Sequence, residues 1–524
     1  MTSDLRLFSS RARRQDGFTL IELLVVIVIL GVLAAIVVFS VRGIGDKGHK
    51  NAVSADAATL RTAEESYCAK HGHYATVDDL KADGLLAGDP VYNMVSVGEE
   101  NKCGRGEKSS FTLYDTSAPT ESGADAIPVG ANATDLAVDE KADRVYVVAP
   151  DSNNVTVIDG KTDTPIGTPI DVSSAVSSPT RIAVDPGTGR VYVGGTGGVA
   201  IIDTTHANQV THVGDFTTAV VGLAVSPENG DVYIGGSDAG YLSVAYVPAG
   251  TSSATPIPLP AASLAADDVD FSSDIVHHAV YFSKRGTGSG TSPDAASGLF
   301  AVSSQTHEAK VVAQFPTKPG CGSNAGDVLL GNSVRGTTAV DPGRNLVYLP
   351  ARRCVPDPAN SSGRWKTVAT TIVINPGDGS STAINDPVGT TYTSQVAVYN
   401  SAAGAVYVYL EGGVNCAGNG ARIDRIVGTK VTGQVSVCAV SVAPGNYAHQ
   451  VAVLRNFNRI FVAQRNVLSA PGGLGVVDGG TLLAQAPRGT PRQFAALAVN
   501  DKTGKVYAVD QANATVAVFR TGSA

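Results

Sequence analysis

Phe18 to Val41 is a continuous apolar run broken by one charge, Glu22. Its roughly 24 positions, at about 1.5 Å of rise each, make a helix long enough to cross a hydrocarbon core of about 30 Å. A carboxylate in such a segment costs about 2.5–3.5 kcal/mol at the helix centre and less near an end, so it is rarely kept without a partner. The polar leader before the run carries Arg6, Arg11, Arg13 and Arg14, which favours a cytoplasmic N-terminus. Gly43, Gly45 and Gly48 then loosen the pattern, each weakening a helix interior by about 1 kcal/mol relative to Ala. Beyond them Val53, Ala57, Leu60, Ala63 and Tyr67 recur at three- and four-residue steps, with polar residues between. That spacing predicts an amphipathic helix to about residue 70. VYNMVSVG and SSFTLYDT follow as two short strands, and the small, polar stretch Ser117 to Ala126 is expected to be a linker.

From there a phrase recurs. DLAVDEKADRVYVV begins at Asp135, RIAVDPGTGRVYVG at Arg181 and GLAVSPENGDVYIG at Gly222, with weaker copies from Asp268, Thr337, Gln395, Gln450 and Ala496. The aligned aromatic falls at Tyr146, Tyr192, Tyr233, Tyr281, Tyr348, Tyr407, Phe461 and Tyr507. Each phrase is an apolar strand, a turn rich in Pro, Gly, Asp and Asn, and a strand of alternating β-branched and aromatic residues. A third strand often follows, as in NVTVID or TVAVFR. Repeats of about 40–50 residues with four strands each predict a β-propeller over residues 127–524. Eight copies predict eight blades, with seven the alternative if the divergent copy at Asp268 does not form one. The last copy stops after its third strand, so Ile127 to Val129 is expected to supply the fourth and close the ring without a free edge.

Composition agrees with an exported β protein. Charged residues make up only 16% of the 524 positions and glycines number 58, a mix suited to dense turns rather than to a helical cytosolic enzyme. The formal net charge of −8 argues against general nucleic-acid binding while leaving room for a local basic patch. The six cysteines form an even set that an exported chain can oxidise. Their order suggests the neighbouring pairs Cys68–Cys103, Cys321–Cys354 and Cys416–Cys438, but order alone does not fix connectivity.

The segment GFTLIE, with its basic leader and its apolar helix, resembles the N-terminus of type IV prepilins and their pseudopilin relatives. In that family a prepilin peptidase cuts after the glycine, here Gly17, and the new terminal residue, here Phe18, is N-methylated. The glutamate at the fifth mature position, here Glu22, pairs with the terminal amine of a neighbouring pilin subunit, which would give the intramembrane charge its partner. The resemblance implies a leader over 1–17 and an α+β pilin-like domain over 18–116, with a transmembrane helix over 18–41. HGHYATVDDLKADGLL also resembles the pilin segment that follows the stem. An ordinary signal-anchor helix is the bland alternative; a cleavable secretory signal fits less well, because the run exceeds an h-region of roughly 7–15 residues. The repeat phrase resembles the YVTN family of surface-associated propellers, itself similar to lactonase-like propellers. That likeness specifies fold well and function poorly.

In a propeller, the loops joining second to third strands, and each blade to the next, emerge on one face. The long insertions of this chain fall there, and with them Arg352, Arg353, Arg364, Trp365 and Lys366. Arginine and aromatic side chains on braced loops are candidate anchors for an extracellular partner or glycan, against the alternative that Arg solvates the loops and Trp365 plugs the blade top. Catalytic motifs of the G-x-S-x-G, H-E-x-x-H or phosphate-loop kind do not occur. DPGTG and DPGRN are hairpin-turn chemistry rather than calcium loops, lacking EF-hand spacing. His71 and His73 flank Gly72 with no evident ligand cluster, and His277, His278 and His449 read as isolated, so neither a metal nor a cofactor is expected. The expectation is a noncatalytic minor or tip subunit of a type IV pilus or pseudopilus. It would be anchored once in the cytoplasmic membrane with its C-terminus outside, then assembled at the cell surface to display the propeller for adhesion or recognition. The alternatives are a pseudopilin selecting secretion or DNA-uptake cargo, and a surface-tethered propeller hydrolase.

Overall fold

The computed structural model describes residues 55–75, 77–88, 93–97, 111–115, 120–121, 126–260, 264–266, 269–284, 297–315, 328–329, 338–356, 365–385, 394–401, 403–410, 422–437, 451–455, 458–463, 474–479, 484–485 and 494–520. The apolar run with Gly17, Phe18 and Glu22 lies outside them. Among the described residues no helix is long and apolar enough to cross a membrane. A helix over 55–71 carries the stripe read from the sequence: Ala57, Leu60 and Ala63 are buried together with Ala75 and Leu80. The second helix, Val77–Ala82, brings Leu80 onto that stripe. Glu64 enters the same core, where its Oε2 accepts the Ala75 N–H at 3.0 Å and burial pushes its carboxyl above the usual range. Asn93–Val97 and Phe111–Asp115 pair antiparallel, with Met94 opposite Tyr114, where the two short strands were expected.

Eight further sheets make the propeller. In chain order the blades span residues 135–171, 177–212, 219–257, 272–315, 328–385, 394–436, 451–485 and 494–520. Consecutive strands of a blade pair, apart from the extra strand Val328–Leu329, and first strands of successive blades are neighbours around the ring, that of blade 8 with that of blade 1; at the joint of blades 3 and 4 the Val269 N–H donates to the Val221 carbonyl at 3.1 Å. The divergent copy at Asp268 forms blade 4, from Ser272–Asp274 to Ala309–Phe315, so the seven-blade alternative falls.

Closure occurs where the unfinished last repeat predicts it. Thr515–Arg520, the third strand of blade 8, pairs with Ile127–Pro128 through Val516↔Ile127, and the Val129 N–H donates to the Ala514 carbonyl at 2.9 Å. The pairing also extends further back than expected. Thr120–Glu121 lies against Arg520 and Phe519, which brings part of the expected linker into the ring.

The recurring aromatic welds each blade to the next. Tyr146 is buried among Val191, Val193 and Ile202 of blade 2, and Tyr192 among Val232, Ile234 and Ala245 of blade 3. The same step continues through Tyr233, Tyr281, Tyr348, Tyr407 and Phe461, and ends with Tyr507 among Val145 and Val147 of blade 1. Burying a large side chain of this kind contributes about 1.5–3 kcal/mol, and repeating it at every joint makes the ring cooperative. Burial also pushes the Tyr281, Tyr348 and Tyr407 hydroxyls up to about 12.

The turn between first and second strands is equally regular. Asp139 accepts the N–H groups of Lys141 and Ala142, each at 2.9 Å, and Asp274 those of Val276 and His277. Asn500 receives Lys502 and Thr503 in the same way. The DPG sequences follow suit: Asp185 takes the Gly187 N–H at 2.8 Å and the Thr188 hydroxyl at 2.6 Å. These side chains replace backbone partners in a tight turn, which is why Asp and Asn recur there.

Candidate functional site: the loop face of the propeller

Strand direction fixes which face is presented. The third strand of blade 8 runs from Thr515, beside the loop after the second strand, to Arg520, beside the opposite face of turns. Thr120 stands opposite Arg520 and Pro128 opposite Thr515. The chain therefore reaches the ring on the turn face, climbs the edge of blade 8 and enters blade 1 from the loop face. Phe111–Asp115 lies alongside Ala484–Gln485, the outer strand of blade 7. The loop face is the side away from the point where the N-terminal segment joins the ring.

Blade 5 is built differently from its neighbours on that face. Its second and third strands, Leu346–Pro356 and Trp365–Ile374, run for 11 and 10 residues, against 6 in each of their counterparts in blade 1. The register is unbroken from Val347↔Ile374 to Pro356↔Trp365, so the last rungs rise past the blade as a two-stranded finger. Val328–Leu329 adds a short strand at Arg352 and Arg353 and stiffens its base.

The finger carries the cationic residues singled out from the sequence, but not as one patch. Arg353 lies two residues from Val355, and Val355 is paired with Lys366, so strand alternation puts Arg353 and Lys366 on one face. Arg352 belongs to the other face with Cys354. All three cations are partly exposed, and among the described residues none has a carboxylate partner. The Arg352 Nε is buried without a hydrogen-bond partner among those residues. Trp365 holds the outermost described rung through its backbone pairing with Pro356, and Arg364 lies outside the described residues. Cys354 and Cys68 are buried and disulfide-bonded. Cys103, Cys321, Cys416 and Cys438 lie outside the described residues.

In blades 1 to 3 the described loop ends of the same face carry carboxylates. Asp151, Asp171, Asp215 and Asp238 are exposed at the loop ends of blades 1 to 3. The Ser173 hydroxyl and N–H hold Asp171 below the usual carboxylate range. The cationic finger of blade 5 and the carboxylates of blades 1 to 3 share this face.

Several described histidines meet other side chains, while His449 lies outside the described residues. His71 lies 3.3 Å from Asp83 and stacks on Tyr67 with ring centroids 4.1 Å apart. Lys70, at 2.6 Å, is the main cause of the lowered Asp83 pKa. Among the described residues no three His, Cys, Asp or Glu side chains converge as metal ligands would. His278 is not isolated, as its sequence neighbourhood suggests, but meets Glu228 of blade 3. That contact joins residues 50 positions apart, with no local pattern to announce it.

Residues 12–38 match the prokaryotic N-terminal methylation motif. The N-terminal region is similar to the type II secretion system core protein G of several bacteria. It is 40% identical to that of Klebsiella michiganensis over 68 residues, covering 13% of this chain and 48% of the relative. It is 43% identical to that of Pectobacterium carotovorum over 70 residues, covering 13% and 45%. The chain thus spans about half the length of the curated relatives it matches. Among solved structures the propeller is similar to the Dos1 propeller, with 10% identity and a TM-score of 0.49 over 77% of this chain and 97% of that one. It is also similar to the Kuenenia stuttgartiensis hydrazine synthase, with 12% identity and a TM-score of 0.42 over 76% and 99%. The eight-bladed fold rests on the strand pairing above rather than on these likenesses.

Proposed function

We propose that this chain is a noncatalytic, pilin-like subunit that is cut after Gly17, methylated at Phe18 and assembled through Glu22 into a pseudopilus or type IV pilus. The single observation that carries this reading is a prepilin methylation motif, in a region similar to secretion pseudopilins, on the same chain as a closed propeller. A prepilin peptidase and other pilin subunits are its partners, and the cytoplasmic membrane is its station before assembly. The propeller is several times the size of the segment that precedes it, which favours a minor or tip position over one in every filament layer.

The propeller serves recognition, with the loop face outward and the blade 5 finger as the anchor for an anionic extracellular ligand such as an acidic glycan. Charge-assisted hydrogen bonds from Arg to carboxylate or sulfate are the strong contacts such a site offers. Mass spectrometry of the mature protein is expected to find N-methylated Phe18 at its terminus; an uncut leader would overturn the assembly reading. Charge reversal at Arg353 and Lys366 is expected to lower binding to an acidic-glycan array at least tenfold while leaving folding intact. Unchanged binding would remove the finger from the site. The similarity to type II secretion proteins favours a second reading, in which the propeller selects secreted cargo. Deleting the residues after Pro119 then blocks secretion of particular proteins, whereas an adhesin loses surface attachment.

A further inference from the structure

Across the joints of blades 2–3, 5–6, 6–7, 7–8 and 8–1, a permanently charged side chain reaches the next blade. Arg190 donates to the Thr251 carbonyl at 3.0 Å, Arg344 to that of Gly404 at 3.1 Å and Arg425 to that of Gly479 at 3.3 Å. Arg455 meets Asp501 at 2.6 Å, and Lys505 meets Asp163 at 2.8 Å. The joint between blades 3 and 4 is made with the charges exchanged. Asp231 stands two residues before Tyr233, as Lys505 stands before Tyr507. His307 holds the turn position of Asp163, both with left-handed backbones at φ 58° and 57°.

The contacts there are dense. Asp231 Oδ2 lies 2.9 Å from His307 Nε2 and accepts Asn229 Nδ2 at 2.7 Å, while Oδ1 accepts the Ala249 N–H at 2.9 Å. Glu228 meets His278 Nδ1 through one oxygen and accepts the Ser304 hydroxyl at 2.6 Å through the other. Asn229 also donates to the Ser304 carbonyl at 3.1 Å. The His307 ring lies flat on Tyr246, with centroids 3.6 Å apart and planes 4° from parallel.

The titratable and charged groups around the cluster come from every side. Glu228, Asp231, Tyr233 and Tyr246 belong to blade 3; Asp274, His277, His278, His307 and Glu308 belong to blade 4. Asp185 and Arg190 approach from blade 2. His277 is tied to its own turn through Asp274 at 2.8 Å. Among the described residues neither Glu228 nor Asp231 is bonded by a lysine or arginine, and the basic groups they meet are the two histidines.

We propose that this joint is a pH-sensitive clasp, drawn tight in mildly acidic surroundings by protonation of His278 and His307 and slackened as they lose their protons. An imidazole bears charge only on the acid side of neutrality, and a carboxylate facing it forms an ion pair only with the charged ring, so the joint is expected to loosen as pH rises. Ser304 foremost, and then His278, hold Glu228 below the usual carboxylate range. Its own contribution is therefore lost only when the pH falls through that lowered value.

Hydrogen exchange on the full chain in detergent tests this. Corrected for intrinsic rates, amides over 226–231 and 303–309 are expected to exchange at least about fivefold more slowly at pH 5.5 than at pH 7.5, a factor equivalent to about 1 kcal/mol. Amides at the Lys505–Asp163 joint should show no such difference, and the double variant H278Q/H307Q should lose it. Equal protection at both pH values in the wild type, or an unchanged dependence in the variant, would overturn the clasp. Should the variant fail to fold, the wild-type contrast between the two joints decides the question by itself.

Discussion

Asp163 is the residue on which the last joint of the ring turns. Its carboxylate takes Lys505 at 2.8 Å and Arg520 at 2.7 Å, with the Asp163 and Lys505 side chains only 2% and 8% exposed. Replacing Asp163 with Ala leaves a buried ammonium held by the Gly160 carbonyl alone. That change is expected to lower unfolding stability by about 3–5 kcal/mol in urea titration, the cost of stranding a buried charge. A loss below about 1 kcal/mol would mean that water reaches Lys505. The interblade tyrosines divide by their hydroxyls. Tyr407 donates to the Gly479 carbonyl at 2.8 Å, whereas the Tyr233 hydroxyl has no partner among the described residues. Tyr407→Phe should therefore cost about 1 kcal/mol and Tyr233→Phe close to nothing, with thermal denaturation of the pair as the check. The aligned aromatic was legible in the sequence because packing on the next blade needs a large ring at one register position. The His278–Glu228 and His307–Asp231 contacts were not, because their geometry exists only once two blades stand side by side.

At the scale of the element, the closing strand carries the most weight. A propeller with an open blade presents an unpaired edge, the usual template for aggregation. Replacing Thr120–Glu121 and Ile127–Pro128 with Gly-Ser sequence of equal length should lower the melting temperature and produce oligomers on size-exclusion chromatography. A monomer of unchanged stability would show that blade 8 holds with three strands. Ile127 was legible as part of a strand left over at the start of the array, because the last repeat lacked a fourth. Thr120–Glu121 was not, since two residues leave no alternation to read. The blade 5 hairpin shows a similar boundary. The insertion was visible in the sequence, but the register that sends Arg353 and Lys366 to one face and Arg352 to the other was not. A one-residue slip would exchange the faces, and residue spacing does not fix the pairing.

For the whole molecule, strand direction and charge give one layout. The N-terminal segment joins the ring on the turn face, and the carboxylates of blades 1 to 3 and the cationic finger stand on the other. A chain tethered in this way holds its loop face away from the point where the N-terminal segment joins the ring, as the proposed recognition role requires. The central claim is that assembly depends on Glu22 and display on the propeller. Glu22→Ala tests it most directly, by quantifying the chain in membranes and in sheared filaments. The account predicts a variant that inserts and is processed as usual but is absent from filaments. Incorporation equal to the wild type would contradict it.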